Sequence, residues 1–218
     1  RFGRIRQHHL MARPGKEQLQ KVQQAEVIVH HKQPRHKGHA KGGTFSLSTG
    51  SGRMEGMRIA FQGTEGAYSE EALLRNFPGS TPIGFPTFHQ VFEAVEAGEA
   101  ELGVVPVENT TAGSINQTYD LLLDSDLHVV GEIIHRVEHC LLAPEGTELK
   151  DLKAVKSHPQ ALAQCDGFLA RMRLTPIPVF DTAGAARSLS ENPEPGVGAI
   201  ASRRAAELYG LKVLAENI

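Results

Sequence analysis

Asn109, Thr110, Thr111 and Ser114 follow directly on an apolar run at 102–107, within GVVPVENTTAGSINQTYDLLL at 103–123. Amides and hydroxyls bind an anion without carrying charge themselves. Placed between a buried strand and the helix that follows, they stand beside unpaired backbone N–H groups at the carboxyl edge of a sheet, where ligands of open α/β folds bind. Three further elbows share this chemistry: Thr64 and Ser69 after 58–61, Ser157, His158 and Gln160 after 153–156, and Asp181, Thr182 and Ala183 after 177–180. Glu108 precedes the first set and suits an orienting role. Together these residues suit the holding of a small anion and the donation of a hydrogen bond to it. No Ser-His-Asp order and no hydrolase-like pair of carboxylates stands out, and Gly63 and Gly66 lack the Gly-Lys-Ser/Thr ending of a phosphate loop.

The elements that would position these residues alternate between short apolar runs and amphipathic stretches, the pattern of a parallel-rich α/β sheet. Strands are expected at 58–61, 82–85 and 102–107, with helices over 68–77, after Thr87, and from Ser114 as cap, the last carrying Ile115, Tyr119, Leu122 and Leu123 inward. A long extended segment at 127–143 suits a crossing between two lobes. A second series has strands at 153–156, 177–180 and 197–201, a helix burying Ala161, Cys165, Phe168 and Met172, and a helix capped by Ser202 and ended by Gly210.

A net charge of −2 conceals a basic first quarter: residues 1–53 hold eleven Lys+Arg against two Asp+Glu. Apart from 22–29 this stretch has no sustained apolar period, so it is expected to be a disordered tail ending in a Gly/Ser linker, whose removal leaves the rest equally stable. Its histidines, including His36 and His39, lack Cys or acidic companions, and no metal or other cofactor is expected. A nucleic-acid partner would rest on this tail alone and is not expected. No apolar run reaches the roughly 20 residues of a membrane span, and no membrane partner is expected. With no apolar leader visible and Cys140 and Cys165 far apart, a reduced, cytoplasmic protein is expected.

Four runs taken in order, FQGTEGAYSEEA, GVVPVENTTAGSINQTYDLL, SHPQALAQC and DTAGAA, resemble the prephenate dehydratase domain over about residues 57–218. The resemblance implies a two-lobed α/β fold similar to type II periplasmic binding proteins, with a ligand cleft between a first lobe at 57–136 and a second at 137–218. It implies a lyase of phenylalanine biosynthesis, a branch of aromatic amino-acid biosynthesis, which converts prephenate to phenylpyruvate, water and CO2 and acts as a homo-oligomer at full length. Asn109, Thr110, Gly113 and Ser114 would bind one end of prephenate; Ser157, His158, Gln160, Thr182 and Ala183 would close on the other, with Thr64, Ser69 and Glu108 in support.

Thr110 stands where the family commonly has serine. The family's Thr-Arg-Phe motif, which carries its catalytic threonine, is expected after Ile218, followed by a regulatory ACT domain. With that threonine expected beyond Ile218, the catalytic residue is left unassigned; the segment returning there would also complete the first lobe's sheet. The competing reading is a two-lobed small-anion binding protein without catalysis.

Overall fold

A computed structural model of the chain describes residues 23–31, 55–111 and 113–218. They form two sheets, each flanked by helices, with a cleft between them. The first sheet contains β1 (Gln23–His31), β2 (Arg58–Gln62), β3 (Thr81–Phe85), β4 (Leu102–Asn109), the two-residue β5 (Gly113–Ser114) and β6 (Leu127–Arg136). Its order is β3-β2-β4-β1-β6, with β5 beside β4. The second contains β7 (Cys140–Ala143), β8 (Ala154–Ser157), β9 (Thr175–Pro178), β10 (Val197–Ala201) and β11 (Lys212–Glu216), in the order β11-β7-β10-β8-β9.

The two sheets share one plan. In the first, β2, β3 and β4 run parallel, and β1 lies antiparallel between β4 and β6. In the second, β8, β9 and β10 run parallel, and β7 lies antiparallel between β10 and β11. Helices α1 (Tyr68–Asn76), α2 (Phe88–Glu96) and α3 (Asn116–Asp124) cover the first sheet. Helices α4 (Pro159–Gln164), α5 (Asp166–Met172), α6 (Thr182–Glu191) and α7 (Arg203–Tyr209) belong to the second. Ile28, Ile59, Phe61, Leu73 and Val104 form one apolar layer of the first lobe, and Val29, Val91, Phe92 and Val105 the other.

β1 corrects the expectation of a wholly disordered 1–53. Val27, Ile28 and Val29 fall in the one apolar stretch of that segment, and a central strand is where such residues find partners on both sides. Ile28 and Val29 are buried, and β1 pairs along its length with β4 and β6. β1 thus occupies the position between β4 and β6 in the first sheet. The remainder of 1–53, apart from this strand, lies outside the described residues.

Two helices also differ from expectation. Ser114 belongs to β5 and does not cap α3; the cap position is Ile115, with no side-chain hydrogen bond. α3 consequently buries Thr118, whose hydroxyl donates to the Pro106 carbonyl at 2.8 Å, and leaves Tyr119 and Leu123 exposed. The single helix expected after Pro159 breaks at Cys165 into α4 and α5. That rotates Leu162 and Leu169 inward and leaves Met172 exposed. Thr87 and Ser202 cap α2 and α7 through their hydroxyls as expected.

Candidate functional site

The parallel strands of both sheets end at the cleft, where α1, α4 and α6 begin. A cavity of about 400 Å³ lies there. Of the residues singled out from sequence, Thr64, Ser69, Asn109, His158, Gln160 and Thr182 line it. The His158 Nδ1 accepts from the Gln160 N–H at 3.2 Å, with Pro159 at the first helical position, so the histidine caps α4. Asp181 caps α6 by accepting from the Gly184 N–H at 2.5 Å, which sets Thr182 at the helix start. The Asn109 Oδ1 accepts from the Thr111 N–H at 3.0 Å and fixes the turn after β4.

Thr110, Gly113, Ser114, Ser157, Ala183 and Glu108 do not line the cavity. Ser157 is fully buried, and its hydroxyl donates to the Ile200 carbonyl at 2.6 Å, tying β8 to β10. Ala183 is buried in the first turn of α6. Thr110 holds the start of β1: its hydroxyl accepts from the Gln23 N–H and its N–H donates to the Gln23 carbonyl, both at 3.0 Å. Glu108 and Ser114 pair with each other across β4 and β5 and are exposed.

Sequence reasoning passed over several lining residues, chief among them Gln24, Tyr68, His139 and Gln164. Tyr68 at the start of α1 lies 2.7 Å from the His139 Nδ1, and the His139 Nε2 lies 2.6 Å from the Gln164 Oε1. Burial holds His139 below the usual histidine range, against the opposing pull of Gln164, and so keeps it neutral; burial drives Tyr68 well up. The neutral ring donates from Nε2 to Gln164 and accepts from Tyr68 at Nδ1. The signal available in sequence was a histidine standing immediately before the apolar run 140–143.

The lobes also meet behind the cleft. The Ser202 hydroxyl donates to the Gly66 carbonyl and the Tyr209 hydroxyl to the Glu65 carbonyl, both at 2.7 Å. Gly66 has φ +89°, and a β-carbon there would lie 3.1 Å from the Ala205 backbone, so glycine suits both the turn and the close approach.

Among the described residues, Asp181 is the one charged side chain lining the cavity, and no cluster of His, Cys, Asp and Glu is arranged to hold a metal ion. Cys140 and Cys165 are unpaired and buried, and desolvation raises their thiols to about 11 and about 12. No helix among the described residues is long and apolar enough to cross a membrane. Apart from Asp181, the cavity wall is thus neutral donors and acceptors with helix starts behind them. That arrangement stabilises anionic groups by preorganised dipoles and needs no reorganisation during reaction.

The sequence profile of the prephenate dehydratase family matches residues 59–218. The arogenate dehydratase/prephenate dehydratase 2, chloroplastic, of Arabidopsis thaliana is 44% identical over 175 residues, covering 80% of this chain and 45% of the relative. GqqA, a structure described as a novel type of quorum quenching acylase, superposes with a TM-score of 0.70 at 43% identity, over 74% of this chain and 59% of that one. The prephenate dehydratase of Arthrobacter aurescens in complex with L-Phe gives a TM-score of 0.63 at 28% identity, over 74% of this chain and 55% of that one. The chain spans about half the length of the curated relatives it matches.

Proposed function

Because the chain belongs to the prephenate dehydratase family, we propose that it takes prephenate into the interlobe cleft and converts it to phenylpyruvate, water and CO2 in phenylalanine biosynthesis. The observation that carries this reading is the family match over 59–218, combined with a cleft where Thr64, Ser69, Asn109, His158, Gln160 and Thr182 converge.

The chemistry suits such a wall. Loss of CO2 pushes an electron pair into the ring, and aromatisation drives departure of the ring hydroxyl. The protein has to fix two carboxylates and give a hydrogen bond, then a proton, to the leaving oxygen. Thr64, Asn109, Gln160 and Thr182 offer neutral donors for the carboxylates, supported by the starts of α1 and α6. A positioned proton donor contributes typically 10²–10⁴-fold. A reducing compartment, the cytoplasm, belongs to the same proposal and agrees with the unpaired thiols of Cys140 and Cys165.

Incubation of the whole chain with prephenate, followed by phenylpyruvate absorbance, tests the reading, with arogenate as the comparison substrate. Saturable formation of phenylpyruvate is the expected result. Tight binding of prephenate without product would favour a binding protein of the same shape.

A further inference from the structure

β1 does more than fill a gap in the sheet. At its cleft end Gln24 lines the cavity, and two residues on, Glu26 lies fully buried beneath it. The Glu26 Oε1 accepts from the Ser69 hydroxyl at 2.7 Å and from the Gln24 side-chain amide at 2.9 Å. Ser69 and Gln24 both line the cleft, so one buried carboxyl holds two cavity groups in place. The second oxygen, Oε2, is buried with no hydrogen-bond partner among the described residues. An ionised carboxylate would put half its charge on that bare oxygen, whereas a carboxylic acid does not.

Resting on the dehydratase reading, we propose that Glu26 is the positioning residue and proton source of the cleft, acting through Ser69 on the leaving hydroxyl of the substrate. In the acid form the 2.7 Å contact runs the other way: Oε1 carries the proton and donates it to the Ser69 oxygen, which turns the serine's own hydrogen toward the cavity. As the ring C–O bond breaks and the carboxyl C–C bond gives its electron pair to the ring, Ser69 passes that hydrogen to the departing oxygen and takes the Glu26 proton. Water and CO2 leave, the serine ends as it began, and Glu26 ends as a carboxylate. Solvent returns one proton before the next turnover.

Burial raises the Glu26 carboxyl to about 7, against the lowering pull of Ser69 and Gln24, so the acid form is populated near neutrality. The titratable and charged groups on the elements packed against it are few. α1 carries Tyr68, Glu70, Glu71 and Arg75; β6 carries exposed His128, Glu132 and Arg136 and buried His135, the last held neutral by desolvation. On β4 the register partner is Pro106, and Glu108 is exposed. The match to the prephenate dehydratase family begins at residue 59, after β1.

The test uses the full chain with prephenate, comparing parent, Glu26→Gln and Ser69→Ala between pH 5.5 and 9. The parent is expected to lose kcat along a one-proton limb above about pH 7. Both variants are expected to lose about 10²-fold or more in kcat, with KM little changed, and to lose the limb. Should Glu26→Gln fail to fold, Ser69→Ala decides, because it breaks the same relay from α1. Folded variants with the parent's kcat and pH profile would overturn the relay while leaving the dehydratase reading intact. A parent that binds prephenate and releases no phenylpyruvate at any pH would overturn both.

Discussion

The Tyr68 hydroxyl and the His139 Nδ1 lie 2.7 Å apart, and their bond spans the cleft between the lobes. Tyr68 begins α1 on the first sheet; His139 immediately precedes β7 of the second and carries the connection on to Gln164 of α4. The shared plan of the two sheets explains the position. β7 enters its sheet antiparallel between β10 and β11, as β1 enters between β4 and β6. His139 and Gln24 thus mark equivalent entry points, one in each lobe, and both line the cavity.

Tyr68→Phe removes the donor and leaves a buried histidine nitrogen without a partner. The expected cost is about 1–3 kcal/mol, which lowers the melting temperature by roughly 2–4 °C per kcal/mol in a chain of this size. Catalytic efficiency with prephenate is expected to fall alongside it. Tyr119→Phe, on an exposed face of α3, serves as the control and is expected to change neither. Thermal melting and steady-state kinetics check both, and a Tyr68→Phe protein matching the parent in each would remove the bridge from the account.

Thr182→Val and Ser157→Ala separate a cleft role from a packing role. Thr182 lines the cavity at the start of α6, so loss of its hydroxyl is expected to reduce kcat/KM by roughly 10–150-fold while the melting temperature holds, the equivalent of one hydrogen bond to a charged group. The Ser157 hydroxyl serves the buried Ile200 carbonyl, so its removal is expected to cost about 1–3 kcal/mol of stability and leave KM unchanged. The reverse pattern in the same two measurements would exchange the two assignments.

The contrast between Thr182 and Ser157 shows how far the sequence could be read. The alternation of short apolar runs with capped helices revealed the βα units, because strand length, caps at Thr87 and Ser202 and the glycine after α7 are local signals. Which elbow residue faces the cleft depends on the side chain's direction at the strand end, and Ser157 and Thr182 look alike until the strands are registered. Tyr68, His139 and Gln164 escaped for a related reason: Tyr68 meets His139 only across the lobes, 71 residues away, and His139 meets Gln164 only once the second lobe has folded, 25 residues on. β1 escaped because nine residues in a basic, glycine-containing stretch cannot be weighed without their partners, and those partners are β4 and β6.

Stability against pH should show two opposing slopes. Folding raises the Glu26 carboxyl from 4.5 to about 7, so the unfolded chain releases this proton first and stability falls as pH rises through that window, by about 3 kcal/mol. Folding lowers His135 from 6.5 to about 4, so the unfolded chain takes up this proton first and stability is lost as pH falls through that window, by a similar amount. The two overlap between pH 4.5 and 6.5 and nearly offset each other in the parent. Glu26→Gln is expected to unmask a stability that rises with pH there, a rise to which the lowered His139 adds; His135→Asn is expected to flatten or reverse it. Urea unfolding at several pH values reads the slopes, and a Glu26→Gln profile that still falls with pH would contradict the assignment to residue 26.

Val29 and Gly103 provide the sharpest test of β1. They are direct partners across the β1–β4 pair, and a β-carbon added at Gly103 would lie 2.8 Å from the Val29 Cγ2, with Val95 and Val91 at 3.1 and 3.2 Å. The absence of a side chain at residue 103 is therefore what lets a valine from the first quarter of the chain seat in the core. Gly103→Ala is expected to destabilise by about 1–3 kcal/mol through overpacking. Val29→Ala alone removes buried methyl groups and is expected to destabilise as well, by about 1–2 kcal/mol. Combined, the smaller side chain at residue 29 makes room for the new methyl at residue 103, so the double variant should be more stable than the sum of the single losses by about 0.5–2 kcal/mol. Contacts with Val95 and Val91 remain and keep the rescue partial. Chemical denaturation of the four proteins completes the cycle. A Val29→Ala protein as stable as the parent, with no coupling to residue 103, would show that the slot between β4 and β6 is not held by β1 in solution; it would also withdraw Gln24 and Glu26 from the cleft.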